Sequence, residues 1–486
     1  MNALARTAVG LLASVIAGML LVGCAPPAVQ AVPATGVRVP AIIGSNMVLQ
    51  AGAPVPVWGW GGPGGGVTVT VPGQSKTAVV DPAGRWKVVL DRMPASDKPV
   101  KMIVKGANEI VIENVLVGEV WAGSGQSNMQ WGVGGVTNAQ AEIAAANRPT
   151  MRLFLIPNTV SGSPSDDVNA HWVECSPATV KDFSAALYFF GRNLQDELKT
   201  PVGLVASSWG GTLIEPWIPM SALESQAELK PLAEQAKALP SQAGPGHPLS
   251  NQAPTVLFNA MIHPIVPLAI RGAIWYQGES NVMQGDGLLY ARKMLALIQG
   301  WRTAWGQGDF PFLFVQLAPW TGYREGELPK VWQAQIESLK IPNTGMAVVT
   351  DVTGDVNDIH PQDKQSVGKR LALWALAKTY GRTDLVYSGP LYKSMKVEGD
   401  KVIVSFDQVG KGLKSRDAKD LTEFQIAGEN RKFVPAKAVI QGDTVVVSLD
   451  GVPNPVAVRF GWNKTANPNL CNSALLPASP FRTDNW

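Results

Sequence analysis

A serine that attacks an ester needs a base for its proton, an acid to orient that base, and N–H donors for the oxyanion. Residues suited to each of these tasks stand in four separate stretches of this chain. The first, Gly123-Ser-Gly-Gln-Ser-Asn-Met129, sets Ser127 on a glycine-containing turn, where the hydroxyl and its own N–H can face one cavity. It is not the G-x-S-x-G elbow, because Met129 stands where the second glycine would be. The second, Ser207-Ser-Trp-Gly-Gly-Thr-Leu-Ile-Glu-Pro-Trp217, carries Gly210 and Gly211, whose backbone can approach a ligand closely and offer an N–H. The third, Ala273-Ile-Trp-Tyr-Gln-Gly-Glu-Ser-Asn281, clusters Gln277, Glu279 and Asn281, and an amide there can bond a developing oxyanion. The fourth, Asp351-Val-Thr-Gly-Asp-Val-Asn-Asp-Ile-His-Pro361, sets His360 in a loop dense with carboxylates. Asp358 is nearest to it in sequence, and Asp355 and Asp351 also lie within reach as the orienting acid. Each stretch alone has a plainer reading as a turn or a helix cap. Their weight comes from being together.

What would bring them together is the element each one follows. Apolar runs at Val115–Ala122, Met151–Ile156, Val202–Ser207, Ala273–Gln277, Pro311–Leu317 and Ala347–Asp351 read as strands. They alternate with helical patterns at Phe183–Leu198, Leu288–Trp305, Val331–Leu339 and Lys364–Tyr380, the signature of a parallel sheet with crossover helices. In an open α/β sheet the carboxyl ends of the strands converge on one crevice, and the four stretches sit at such ends. The expected fold is α/β, an open parallel sheet with flanking helices. Short period-2 runs before it, such as Val67-Thr-Val-Thr-Val, and after it, such as Thr444-Val-Val-Val-Ser-Leu, predict β-rich, sandwich-like regions on either side. The expected boundaries are 41–114 for the N-terminal β domain, 115–383 for the α/β domain and 384–486 for the C-terminal β region.

The front of the chain reads as a targeting signal. Met1 to Arg6 is short and basic, Leu11 to Val22 is predominantly apolar, and Leu21-Val-Gly-Cys24 follows. Small residues before a cysteine resemble a bacterial lipobox. On that reading residues 1–24 are a lipoprotein signal peptide, Cys24 is lipidated, and 25–40 form a linker from a membrane anchor, in the periplasm or at the cell surface. An ordinary secretory peptide is the plainer alternative. Two further cysteines, Cys175 and Cys471, are either a disulfide or two buried thiols.

Composition narrows the remainder. The net charge is +3 and charged residues are 16% of the chain, too mild and too dispersed for a nucleic-acid binder. Four histidines are present, none at metal-ligand spacing with Cys or another His, so no structural zinc site is expected, and the serine–histidine ester chemistry itself needs no metal or organic cofactor. The 16 tryptophans are many for this length; most should be core, and a minority could stack on pyranose rings.

In this order the four stretches resemble the blocks of the SGNH hydrolase superfamily. More narrowly, Gly125-Gln-Ser-Asn-Met, Gly210-Gly-Thr, Trp275-Tyr-Gln-Gly-Glu-Ser-Asn281 and Asp358-Ile-His-Pro361 are similar to the bacterial sialate O-acetylesterase family. Val115-Leu-Val-Gly-Glu-Val-Trp121, Phe258-Asn-Ala-Met-Ile-His-Pro264 and Leu475-Leu-Pro-Ala-Ser-Pro-Phe-Arg-Thr-Asp484 extend the likeness over nearly everything after the linker. The resemblance implies Ser127 as nucleophile, His360 as base and Asp358 as orienting acid. It also implies an oxyanion hole from the N–H of Ser127 and of Gly210 or Gly211, with a side-chain amide from Gln277 or Asn281. The wider superfamily has its acid three residues before the histidine, where this chain has Asn357; the Asp–x–His spacing here is that of the narrower family. His263, with no carboxylate loop around it, reads as structural. The implied activity is removal of O-acetyl groups from a sugar or glycan through an acetyl-enzyme. Acetylated xylan or another hemicellulose is the alternative substrate, and a non-catalytic carbohydrate-binding surface lipoprotein is the alternative of another class.

Overall fold

The computed structural model describes residues 36–242 and 248–486. Cys24, the apolar run before it and His247 lie outside the described residues.

Seven strands make the central sheet: β1 (Glu109–Gly125), β2 (Arg148–Leu155), β3 (Trp172–Cys175), β4 (Val202–Ser208), β5 (Gly272–Tyr276), β6 (Phe312–Val315) and β7 (Thr344–Ala347). Their order is β7-β6-β5-β1-β4-β2-β3, all parallel except the β2–β3 pair. Such a sheet must be apolar on both faces because helices cover both, and β4 and β5 are buried at every position. The pleat separates the two faces. Trp275 of β5 and Phe312 of β6 turn towards Trp301 of α4 (Leu289–Trp305). One step along, Tyr276 turns to the opposite side, where Lys364 of α6 (Lys364–Lys378) lies over its ring. On that side α6 packs against α2 (Ala185–Leu198), close enough that a Cβ on Gly368 would sit 2.6 Å from the backbone of Phe190.

Two features differ from the sequence expectation. The last strand is Thr344–Ala347, earlier than the expected Ala347–Asp351, because pairing with β6 ends at Ala347 while the apolar run continues, buried, through Val348 and Val349. Hydrophobicity reports burial, and the ladder ends before burial does. The expected boundary at residue 114 falls inside β1. This strand pairs with Ser96–Lys105 over its first half and with β4 and β5 over its second. One strand therefore serves both regions, and Val57, Val69 and Leu90 of the N-terminal β region belong to the same apolar core as the helices.

The C-terminal region is the expected sandwich. Two four-stranded sheets enclose a core of their own that includes Val402, Val404, Val445, Val458 and Phe460. It reaches the α/β core through Ser479, whose hydroxyl accepts from Gln316 Nε2 at 2.9 Å, and through Lys464, whose Nζ donates to the Tyr323 carbonyl at 2.7 Å. Cys175 and Cys471 are both buried free thiols.

Candidate active site

The nucleophile turn is built by a glycine that no other residue replaces easily. Gly125 ends β1 at φ +144°, and a Cβ there would stand 2.1 Å from the Tyr276 carbonyl oxygen. The β1 and β5 backbones close together at that point, and the Gln126 N–H donates to the same carbonyl at 3.0 Å. Chain direction then reverses into a short helix, α1 (Ser127–Gln130), with Ser127 as its first residue. The N–H groups of a first helical turn have no intrahelical acceptor, so that of Ser127 is available beside its own hydroxyl.

His360 arrives from the loop between β7 and α6. Its Nε2 is 2.9 Å from Ser127 Oγ across 233 residues of sequence. The indole of Trp131 stacks on the imidazole, with centroids 4.8 Å apart and planes at 21°. Asp358 is the carboxylate at the other ring nitrogen: its Oδ1 lies 3.6 Å from Nδ1 and accepts the backbone N–H of His360 at 2.8 Å. The two other acids considered from sequence are engaged elsewhere. Asp351 takes a bidentate pair with Arg370, and Asp355 accepts the N–H and side chain of Asn357. Burial holds the His360 imidazole below the ordinary histidine pKa; Asp358 pulls it back up and Lys364 pushes it further down.

Gly210, in the turn that follows β4, lies against the serine, while a Cβ on Gly211, at φ +74°, would meet open space. A Cβ on Gly210 would be 3.3 Å from that of Ser127. The Gly210 N–H donates to the side-chain oxygen of Gln130 at 2.7 Å, and the Trp209 N–H ties this turn to the Gly125 carbonyl at 3.1 Å.

The block-three amides are a correction to the expected oxyanion hole. Both are fully buried. Gln277 Nε2 donates to Gln126 Oε1, the Thr212 carbonyl and Asn281 Oδ1. Asn281 Nδ2 donates to Glu215 and Asp286. With their N–H groups spent, these amides brace the turns around Ser127 and face no oxyanion. Gln126 completes the brace by accepting the N–H groups of Gly278 and Ser280. Sequence reasoning also passed over Gln130 and Trp131, which look like ordinary helix residues; their spacing of three and four from Ser127 is the available signal, since such residues share a helix face. His263 is structural as expected, its Nδ1 bonding the Ser165 carbonyl at 2.8 Å.

Residues 117–377, more than half the chain, match the family model for carbohydrate esterase, sialic acid-specific acetylesterase. The chain belongs to this family. The rat sialate O-acetylesterase is 32% identical over 464 residues, covering 83% of this chain and 85% of the relative. The human enzyme of the same name is 31% identical, covering 92% of each. Among solved structures, a carbohydrate acetylesterase from Xanthomonas citri superposes with a TM-score of 0.85 at 37% identity, over 93% of this chain and 100% of that one. The sialate O-acetylesterase-like protein is thus a carbohydrate esterase, a carboxylic ester hydrolase. Its curated relatives are mammalian, so what they establish is the family, without the bacterial branch that the motifs resemble.

Proposed function

We propose that this esterase removes O-acetyl groups from a sugar through an acetyl-enzyme on Ser127. The observation that carries this reading is the 2.9 Å approach of His360 Nε2 to Ser127 Oγ. His360 takes the hydroxyl proton as Ser127 attacks the acetyl carbonyl, then returns it to the departing sugar hydroxyl. Asp358 orients the ring and stabilises its cation. The oxyanion is met by the N–H of Ser127 and by that of Gly210 or Gly211. In the free enzyme the Gln130 side-chain oxygen satisfies the Gly210 donor, and the acetyl oxygen takes its place. Water then releases acetate by the same base.

Replacing Ser127 by Ala should lower kcat for acetyl release by at least ~10³-fold. A Ser127→Ala variant that still hydrolyses 4-nitrophenyl acetate at the parent rate would rule this nucleophile out. The second substrate reading is a hemicellulose or xylan acetate in place of O-acetyl sialic acid; the Xanthomonas structure is named for a carbohydrate in general and so for neither. Acetate release from a panel holding both kinds of glycan decides between them. The lipobox-like Leu21-Val-Gly-Cys24 supports a further part of the proposal, a bacterial enzyme lipidated at Cys24 and tethered at a membrane facing the periplasm or the exterior. Metabolic labelling with a fatty-acid probe, lost on Cys24→Ala, is the expected outcome.

A further inference from the structure

One cluster of buried charge touches the site without entering the mechanism just described. Asn128, the residue after the nucleophile, is fully buried. Its Nδ2 donates to Glu279 Oε1 at 2.5 Å and to the Ile359 carbonyl at 3.0 Å. Its Oδ1 accepts from Lys364 Nζ at 2.7 Å. Lys364 Nζ donates a second bond to the Pro361 carbonyl and lies over the Tyr276 ring at 5.7 Å. Lys364 and Glu279 are buried.

The topology of these bonds is what matters. Residues 359 and 361 flank His360, and the carbonyl of each is held, one by Asn128 and the other by Lys364. Asn128 is covalently next to Ser127. Base and nucleophile, brought from opposite ends of the α/β region, are thus fixed to one amide and one ammonium. An amide between a carboxyl acceptor and an ammonium donor is also held in a single orientation, since flipping it would face oxygen to oxygen and nitrogen to nitrogen. Burying a lysine and a glutamate is costly unless they are hydrogen-bonded, and a packing role alone would be met by apolar residues of similar size.

We infer that Lys364 is a positioning residue of this esterase: acting through Asn128 and the Pro361 carbonyl, it holds His360 in register with Ser127. Burial is the main influence that lowers the imidazole pKa, and the Lys364 charge adds to it. The inference rests on the assignment of Ser127 and His360 above. The groups facing the ammonium are Glu279 from the turn after β5, Asp358 and His360 from the His360 loop, and Asp363 at the start of α6. Burial lowers Lys364 itself to about 7, opposed by Glu279, Asp358 and Asp363. On the acid side of neutrality, where His360 titrates, the lysine therefore carries its charge.

The test is Lys364→Met, similar in length and uncharged, alongside Asn128→Ala and the double variant, in the full chain, with 4-nitrophenyl acetate and an acetylated glycan. A displacement of the base by about 1 Å is expected to lower kcat about a hundredfold, with KM within about twofold. The acid limb of kcat/KM moves up, towards the ordinary histidine value near 6.5. Because both residues act through one network, the double variant loses little more than the worse single variant, as expected for coupled groups. Parent kcat and an unmoved acid limb in a folded Lys364→Met protein would overturn the inference, as would simple addition of the two losses. If the lysine variant does not fold, Asn128→Ala decides: it removes the link between the two residues and should lower kcat with KM within about twofold, and parent kcat in a folded Asn128→Ala protein counts against the proposal. Ser127→Ala is the control. An inactive serine variant beside a normal Lys364→Met refutes only this inference, whereas an active serine variant refutes the site.

Discussion

His360 has to be neutral to take a proton from Ser127, and its surroundings favour that form. Burial and the nearby Lys364 lower its pKa, while Asp358 works against them. The sign follows directly. A lowered pKa leaves more neutral imidazole at a given acidic pH, so activity persists to more acid conditions than a free histidine would allow. The acid limb of kcat/KM should have its midpoint below about 6.5, the ordinary histidine value, in a profile of 4-nitrophenyl acetate hydrolysis. Asp358→Asn removes the one group that raises the imidazole pKa and the one that orients the ring. Its limb should move to still lower pH while kcat falls by about a hundredfold, the lower part of the range for a general acid–base contribution. A limb that does not move, with kcat near the parent value, would mean that another carboxylate serves the ring.

At the scale of elements, β1 and α1 meet at Gly125, where two backbones leave no room for a side chain. Gly125→Ala sets a methyl group against the Tyr276 carbonyl and should cost about 3 kcal/mol, the upper range for strain at one residue. A urea titration reads this directly, and kcat should drop as well because the same turn aims Ser127. Strands and crossover helices of the α/β core were legible from apolar runs and their 3.6-residue counterparts, as were the turns bearing Ser127, Gly210 and His360. Less legible was anything decided by pairing rather than burial. Thr344–Ala347 slipped earlier than its apolar run, and β3 is an antiparallel edge with few distinguishing residues. The oxyanion amide was misread for a related reason. Gln277 and Asn281 stand at a strand end, as an oxyanion donor should, but sequence does not show that Gln126, Glu215 and Asp286 consume their hydrogens. Lys364 was hidden still more completely, since a lysine opening a helix ordinarily points to water.

The whole molecule depends on long-range bonds across its three regions. Gln316, at the end of β6, and Ser479, near the C-terminus, are buried and bonded to one another across 163 residues. Ser479→Ala leaves the Gln316 amide without this partner and should destabilise the protein by about 1–3 kcal/mol, the cost of an orphaned buried polar group. Thermal melting should register the loss while kcat at a permissive temperature stays near the parent value, because no catalytic group is touched. A parallel loss of kcat would instead make the C-terminal sandwich part of the catalytic frame.

The shared strand β1 also bears on how such a chain can change over generations. Its first half belongs to the N-terminal β region and its last residue delivers the serine. An exchange of front regions between relatives cannot be made at a linker, because the cut would pass through the strand that carries the nucleophile. Recombination that respects this strand must carry the N-terminal region and the active serine together. The two are therefore expected to share one ancestry and to diverge in step, rather than as a catalytic unit with an interchangeable attachment.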